Sequence, residues 1–325
     1  IGFLASLQDT PTIANLSYYA RLVREQHEER RLNAVAHDIA DIAADRSLSL
    51  AERKARAESA LYTLADDYKH DGPVTMRDSL RTTVEELQMR FEAHGSGEMI
   101  GLPTGINDLD ARINGLRDGE VTIIAGRPSM GKTTLAMNIA EHVAMHKQIP
   151  VGVFSLEMPH EQLTERMLAS VGKVPLGEIR NGNVSDDSWP RISSAGGTMA
   201  NLPIVIDDQP GLSIYELRTR ARRMARKHGV KLIVIDYIGL IEADGENRTN
   251  QVTNISKNIK GMAKELGVPV IALSQLNRSL ENRPNKRPKM ADLRESGAIE
   301  QDADIIAFVY RDEVYNEDSP HKGTA

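Results

Sequence analysis

The hydrophobic rhythm of the chain changes once, near residue 100. Before it, apolar positions recur at helical spacing and short β-rich runs are absent. Pro11 follows Thr10 at a position suited to a helix start. Leu16, Tyr19, Leu22 and Val23 then form an apolar stripe, and a further one runs through Leu32, Ile39 and Ile42. Ser49-Leu50-Ala51-Glu52 has the pattern of a capping box, with Ala57, Ala60, Leu61 and Leu64 following at helical spacing. His70-Asp71-Gly72-Pro73 is turn chemistry and marks a boundary. Thr75-Met76-Arg77-Asp78 reads as the next helix start. Met76, Leu80, Val84, Leu87 and Phe91 follow at steps of four, four, three and four, up to a stop at Gly95. Such a stripe says that a face is buried but not against what: this helix either packs on its own chain or docks on a neighbouring subunit.

From Gly101 the pattern becomes alternating strands and helices. The strand candidates are residues 121–125, 151–156, 204–206, 232–235, 270–273 and 305–310, most of them separated by helical stretches. That order predicts an α/β domain with a mainly parallel central sheet, which places ligands at the carboxyl ends of its strands. The expected organisation is a helical N-terminal region (1–72), an intervening helix (73–98) and an α/β domain (99–325).

Composition changes this picture little. Of 325 residues, 40% are hydrophobic and 26% charged, as in water-soluble globular proteins. No apolar run approaches the roughly 20 residues of a membrane span, and no signal peptide is evident. With no cysteine in the chain, disulfides and thiolate-bound zinc are excluded, which agrees with a cytoplasmic setting. The chain starts at Ile1, so the natural N-terminus is expected further upstream. A net charge of −6 argues against a wholly basic nucleic-acid coat but is compatible with one local basic channel.

The candidate chemistry is concentrated after the predicted strands. Gly126-Arg127-Pro128-Ser129-Met130-Gly131-Lys132-Thr133 reads G-x-x-x-x-G-K-T between a β-rich run and a helical stretch. A phosphate-binding loop needs this context, because loop amides and the helix N-terminus then face one anion. Lys132 would reach the β- and γ-phosphates of ATP, and Thr133 would offer its hydroxyl to Mg²⁺. Leu232-Ile233-Val234-Ile235-Asp236 is a Walker-B pattern, and Asp236 is the second expected metal residue. Glu157, after the run 153–156, is placed to orient and polarise an attacking water. Its plainer reading is an acid at the first turn of the next helix. Gln275 closes another strand, where it either contacts the γ-phosphate or is simply a polar strand exit. Residues 277–294 carry Arg278, Arg283, Lys286, Arg287, Lys289 and Arg294 against Glu281 and Asp292. They form either a polyanion-binding loop or a solvated one, without aromatics for base stacking. A second basic run, from Arg218 to Lys227, has an apolar side and is expected to be a solvated or interfacial helix face.

These strings resemble the bacterial replicative DNA helicases of the DnaB type. The likeness rests on GRPSMGKT (126–133), FSLEM (154–158), IDY (235–237), SQLNRSL (274–280), DLRESGAIEQDAD (292–304) and FVYRDEV (308–314), spread over about 200 residues. It continues through Leu102-Pro103-Thr104-Gly105 and, more loosely, upstream. The resemblance implies a RecA-like P-loop ATPase assembled as a homohexameric ring around single-stranded DNA, with 5′→3′ translocation and duplex unwinding at the replication fork. Primase, a helicase loader and the polymerase holoenzyme are the implied partners. Nucleotide contacts then fall to residues 126–133 and Thr134, and catalysis to Lys132, Glu157 and Gln275. Thr133 and Asp236 take the metal, and Arg294, Glu295 and Gly297 hold the DNA backbone. The helix bearing Met76 to Phe91 matches the family's linker helix, which docks on the adjacent subunit. Residues 1–72 match only the later part of the family's N-terminal domain. Its arginine finger is expected beyond Tyr315, in an element this sequence does not contain. Gly239 and Gly261 stand where larger side chains are expected, and residues 244–247 look shortened. The other readings of the same motifs are a RecA-type recombinase and an ATP-binding ring scaffold without helicase activity.

Overall fold

The structure, a computed structural model, describes residues 16–66, 75–96 and 99–325. It divides into two compact units, Ile1–Ser79 and Leu80–Ala325. In the first unit, helices α1 (Leu16–Ala44) and α2 (Leu50–Asp66) pack on each other. The two stripes expected around residues 16–23 and 32–42 thus belong to one continuous helix. The capping box at Ser49 forms: its backbone N–H donates to Glu52 Oε2 at 2.8 Å, and Glu52 N–H donates to Ser49 Oγ at 3.2 Å. The helix start expected at Thr10-Pro11 and the turn at His70-Asp71-Gly72-Pro73 lie outside the described residues. Two paired helices share only one face, and Val23, Leu32 and Leu61 remain more than half exposed.

Helix α3 (Met76–Ser96) starts where its sequence predicts, with Thr75 Oγ1 accepting from Asp78 N–H at 3.3 Å. Its five stripe residues are all solvent-facing, from Leu87 at 53% to Phe91 at 81% exposure. None of the described residues closes this apolar face.

In the second unit, α4 (Asn107–Ile113) is anchored by the buried Asp110, whose carboxylate accepts from Thr104 N–H and Oγ1 and from Gly105 N–H. The expected strands all form: β1 (Val121–Gly126), β2 (Val151–Ser155), β3 (Ile204–Asp207), β4 (Leu232–Asp236), β5 (Val270–Gln275) and β6 (Ile305–Phe308). They make one six-stranded sheet in the order β3-β2-β4-β5-β1-β6, parallel throughout. Parallel neighbours require crossover connections. These carry α5 (Lys132–Lys147), α6 (His160–Gly172), α7 (Leu176–Asn181), α8 (Ser188–Met199), α9 (Ile214–His228), α10 (Arg248–Leu266) and α11 (Gly297–Asp302).

Because strand side chains alternate, the sheet builds two cores. Ile123, Ile233, Ile235 and Ala272 face α9 and α10, while Ile124, Val234, Ile271 and Leu273 face α5 and α6. This double coverage explains why the strands read as continuous apolar runs. Each fully buried Ile or Leu contributes roughly 1.5–3 kcal/mol.

The basic run on α9 is only in part the solvated or interfacial face expected: Arg223, Arg226 and Lys227 are exposed, but Arg218, Arg220 and Arg222 turn inward. Arg222 is buried, and it pairs with Glu265 of α10, as does Arg218 at 2.7 Å. Arg220 holds Asp207 of β3 at 2.8 Å. Burial raises the Glu265 carboxyl, but the hydrogen bonds and charges of the two arginines outweigh it and hold the group below its usual range. Charge spacing could not reveal this, because Glu265 is remote in sequence. No described helix is long and apolar enough to cross a membrane.

Candidate active site

The expected site residues converge on the carboxyl edge of the sheet. The P-loop runs from the last residue of β1 into the first turn of α5. Gly131, the N-cap of α5, has φ +96°, a backbone conformation suited to glycine. A Cβ at Gly126 would stand 2.9 Å from the carbonyl oxygen of Val309, just beyond β6, so close approach of that segment requires the loop's first glycine. Lys132 Nζ donates to the Arg127 carbonyl oxygen at 3.1 Å, folded back over its own loop.

Register places the other groups. Ser155 is opposite Asp236, and Leu156 N–H donates to the Asp236 carbonyl oxygen at 2.7 Å, so the exits of β2 and β4 stay together. Glu157 follows immediately and is exposed. Its turn is held by Ser155 Oγ donating to the Met158 carbonyl oxygen. On the other side Gln275 is opposite Gly126, with Leu276 N–H donating to the Gly126 carbonyl oxygen at 3.3 Å. Thr133 Oγ1 donates to Asp236 Oδ2 at 2.8 Å, joining residues 103 apart in sequence. The Asp236–Tyr237 peptide bond is cis. A cavity of about 410 Å³ opens between the exits of β4 and β5, lined in part by Tyr237, Arg248, Gln275 and Arg278. Gly239 lines it too, and a Cβ there would meet the Tyr237 ring at 2.5 Å.

Electrostatics mark the same spot. Burial raises the Asp236 carboxyl; the Thr133 hydrogen bond and Lys132 oppose this, and Glu157 adds to it. Burial lowers the Lys132 ammonium, against the pull of Asp236 and Glu157. A desolvated carboxylate has a hydroxyl beside it and a second acid near enough to raise it, with Lys132 and Arg166 as counter-charges. That donor set fits a hard divalent cation.

Some residues take roles that spacing did not reveal. The Arg127 side chain turns away from the loop's interior to Leu276 and Glu281. The segment 277–294 is folded down on itself: Arg283 pairs with Asp292 at 2.8 Å. Arg287 lies over the Tyr310 ring and Lys286 over the Tyr315 ring, at 5.5 and 5.3 Å. Its aromatic partners therefore come from beyond β6, where local reading of the loop could not find them. Arg294 and Glu295 lie in the 3-10 turn Met290–Ser296, and Gly297 opens α11; the side chains at these positions lie outside the described residues.

A parallel sheet with a P-loop leaving β1, a buried acid ending β4 and a second acid after β2 defines a P-loop nucleoside triphosphatase of the RecA-like kind. Residues 101–325 match the family described as the DnaB-like helicase C terminal domain. The replicative DNA helicase DnaB of Pasteurella multocida is 46% identical over 337 aligned positions, covering 100% of this chain and 71% of the relative. That of Geobacillus stearothermophilus is 41% identical, covering 99% and 71%. Among solved structures, a DnaB-like replicative helicase described with its primase interactions superposes with a TM-score of 0.78 at 32% identity, over 99% of this chain and 75% of that one. A second solved structure, described as an ATPase domain, gives a TM-score of 0.71 at 37% identity, over 78% and 88%. The chain belongs to the DnaB-like helicase family.

Proposed function

We propose that this protein is the ATP-driven motor subunit of a replicative DNA helicase. It works in the cytoplasm as a homohexameric ring that moves 5′→3′ along single-stranded DNA and unwinds the duplex at the fork. The observation that carries the reading is the convergence of Lys132, Thr133, Glu157, Asp236 and Gln275 at the exits of adjacent strands, in a chain of this family. The loop amides of residues 126–133, with Thr134 after them, cradle the ATP phosphates. Lys132 leaves the Arg127 carbonyl for the β- and γ-phosphates. Thr133 and Asp236 hold Mg²⁺, which neutralises charge developing on the phosphates. Glu157 orients the attacking water and accepts its proton, and Gln275 reads the γ-phosphate. Arg294 meets the DNA backbone by charge, Glu295 contributes its backbone N–H or orients Arg294, and Gly297 belongs to the same loop; such contact follows the strand without reading sequence.

The exposed stripe of α3 supports docking on a neighbouring copy. The solved relative described with its primase interactions supports primase as a partner. A helicase loader and the polymerase holoenzyme are the further partners that membership suggests. The test is steady-state ATP hydrolysis by the full-length protein with and without single-stranded DNA, beside Lys132→Ala. Strong DNA stimulation, abolished in the variant, is the expected result. Turnover indifferent to DNA would favour an assembly ATPase and remove the DNA-segment assignment.

A further inference from the structure

Arg127 offers the P-loop its backbone, but its side chain is engaged elsewhere. The residue is 7% exposed. Nη1 donates to the Leu276 carbonyl oxygen at 2.9 Å, while Nε and Nη2 reach Glu281 Oε1 at 2.9 and 2.8 Å. One residue of the phosphate loop is thus tied to the backbone directly after Gln275 and to the 3-10 turn Arg278–Asn282. The bonded path continues. Asn277 N–H donates to the Asp292 carbonyl oxygen at 3.1 Å. The buried Asp292 carboxylate accepts from Arg283 Nη2 at 2.8 Å and from Lys289 N–H at 2.7 Å. Arg294 follows two residues later.

The near end of this path has two possible arrangements. Lys132 Nζ now rests on the carbonyl oxygen of Arg127 itself. Once Lys132 turns to a phosphate, it releases the residue whose guanidinium grips Leu276 and Glu281. A guanidinium is a flat, rigid fork, so motion of its backbone passes to both partners and is not absorbed by side-chain torsions. The ion pair adds little to stability, since the Glu281 side chain is 44% exposed and such pairs are screened by water. Its value is positional.

We propose that Arg127 and Glu281 form a strut that transmits nucleotide occupancy from the P-loop to the DNA-holding segment, both acting as positioning residues. This rests on the reading of residues 294–297 as that segment. The strut adds a second route beside Gln275: Gln275 senses the γ-phosphate directly, whereas Arg127 senses the state of Lys132. Bonded continuity becomes a coupling path only if both ligands bias it. Binding linkage is reciprocal, so oligo-dT must tighten a fluorescent ATP analogue by the same factor as the analogue tightens oligo-dT.

The experiment measures both factors, and DNA-stimulated hydrolysis, in full-length wild-type, Glu281→Ala, Glu281→Gln and Arg294→Ala proteins. In Glu281→Ala, each affinity measured alone and basal turnover stay within about threefold of wild type, while the linkage factor and the stimulation fall about tenfold or more, within the usual span of coupling energies. Glu281→Gln keeps an oxygen for the guanidinium and gives intermediate values, which pure loss of fold would not. Wild-type stimulation in Glu281→Ala overturns the strut. So does a loss of nucleotide affinity without DNA, because Glu281 would then only shape the P-loop. Unchanged oligo-dT affinity in Arg294→Ala would remove the DNA-segment reading instead, while the Glu281→Ala linkage factor still scores the strut.

Discussion

Replacing Glu141 by Gln should stabilise this protein by an amount that grows from about pH 4.5 and is complete above about pH 7. Glu141 lies on α5, the helix that follows the P-loop, and is 7% exposed. Its Oε2 accepts a 2.8 Å hydrogen bond from Ser170 Oγ of α6. Burial raises the carboxyl from its ordinary 4.5 to about 7, the serine hydrogen bond opposing this in part. Below pH 4.5 folded and unfolded chains both carry the proton, and ionisation costs the fold nothing. Between 4.5 and about 7 the unfolded chain ionises first, so stability falls as pH rises; above about 7 the whole penalty is present. At about 1.36 kcal/mol per pH unit the interval corresponds to roughly 3 kcal/mol. Residual hydration of the carboxylate reduces this to about 2 kcal/mol. Gln keeps an oxygen for Ser170 and cannot ionise. Thermal unfolding of the full-length proteins, followed by far-UV circular dichroism, should place Glu141→Gln about 4–8 °C above wild type at pH 8. At pH 4 the two should agree within about 0.5 kcal/mol. All other titrations are common to both proteins and cancel in the difference. A gap of equal size at both pH values, or a variant less stable at pH 8, would refute the buried-carboxyl account.

Two further outcomes bear on the motor. Glu157→Gln should lower kcat for ATP by about 10²–10⁴-fold, the usual worth of a positioned base, with KM little changed because the residue addresses water and not phosphate; near-wild-type turnover would sink its assignment. Leu80→Ser with Leu87→Ser should shift the full-length protein from hexamer towards smaller species in sedimentation velocity, each leucine contributing roughly 1.5–3 kcal/mol if buried by a neighbour. An intact hexamer would show that α3 is not an essential contact.

Much of this protein is local and therefore readable from the sequence. The six strands, the capping box at Ser49, the helix start at Thr75 and the P-loop depend on neighbours within a few residues. Apolar period, turn chemistry and backbone freedom are written in the sequence at that range. The pattern of runs ending in Glu157, Asp236 and Gln275 also announced a site, because a parallel sheet sends all its strand exits to one edge. Which of those exits are adjacent was decided only by the strand order. That order sets Asp236 beside Thr133 and Gln275 beside Gly126. The basic runs divide the two kinds of knowledge most sharply. Both contain positive charges whose partners are remote: Glu265 for Arg218 and Arg222, Tyr310 and Tyr315 for Arg287 and Lys286. A charge has no period and no fixed reach along the chain, so its partner is a property of packing. The same holds for Arg127, which the motif marks as a phosphate-loop residue and the tertiary structure joins to Leu276 and Glu281, 149 and 154 residues away.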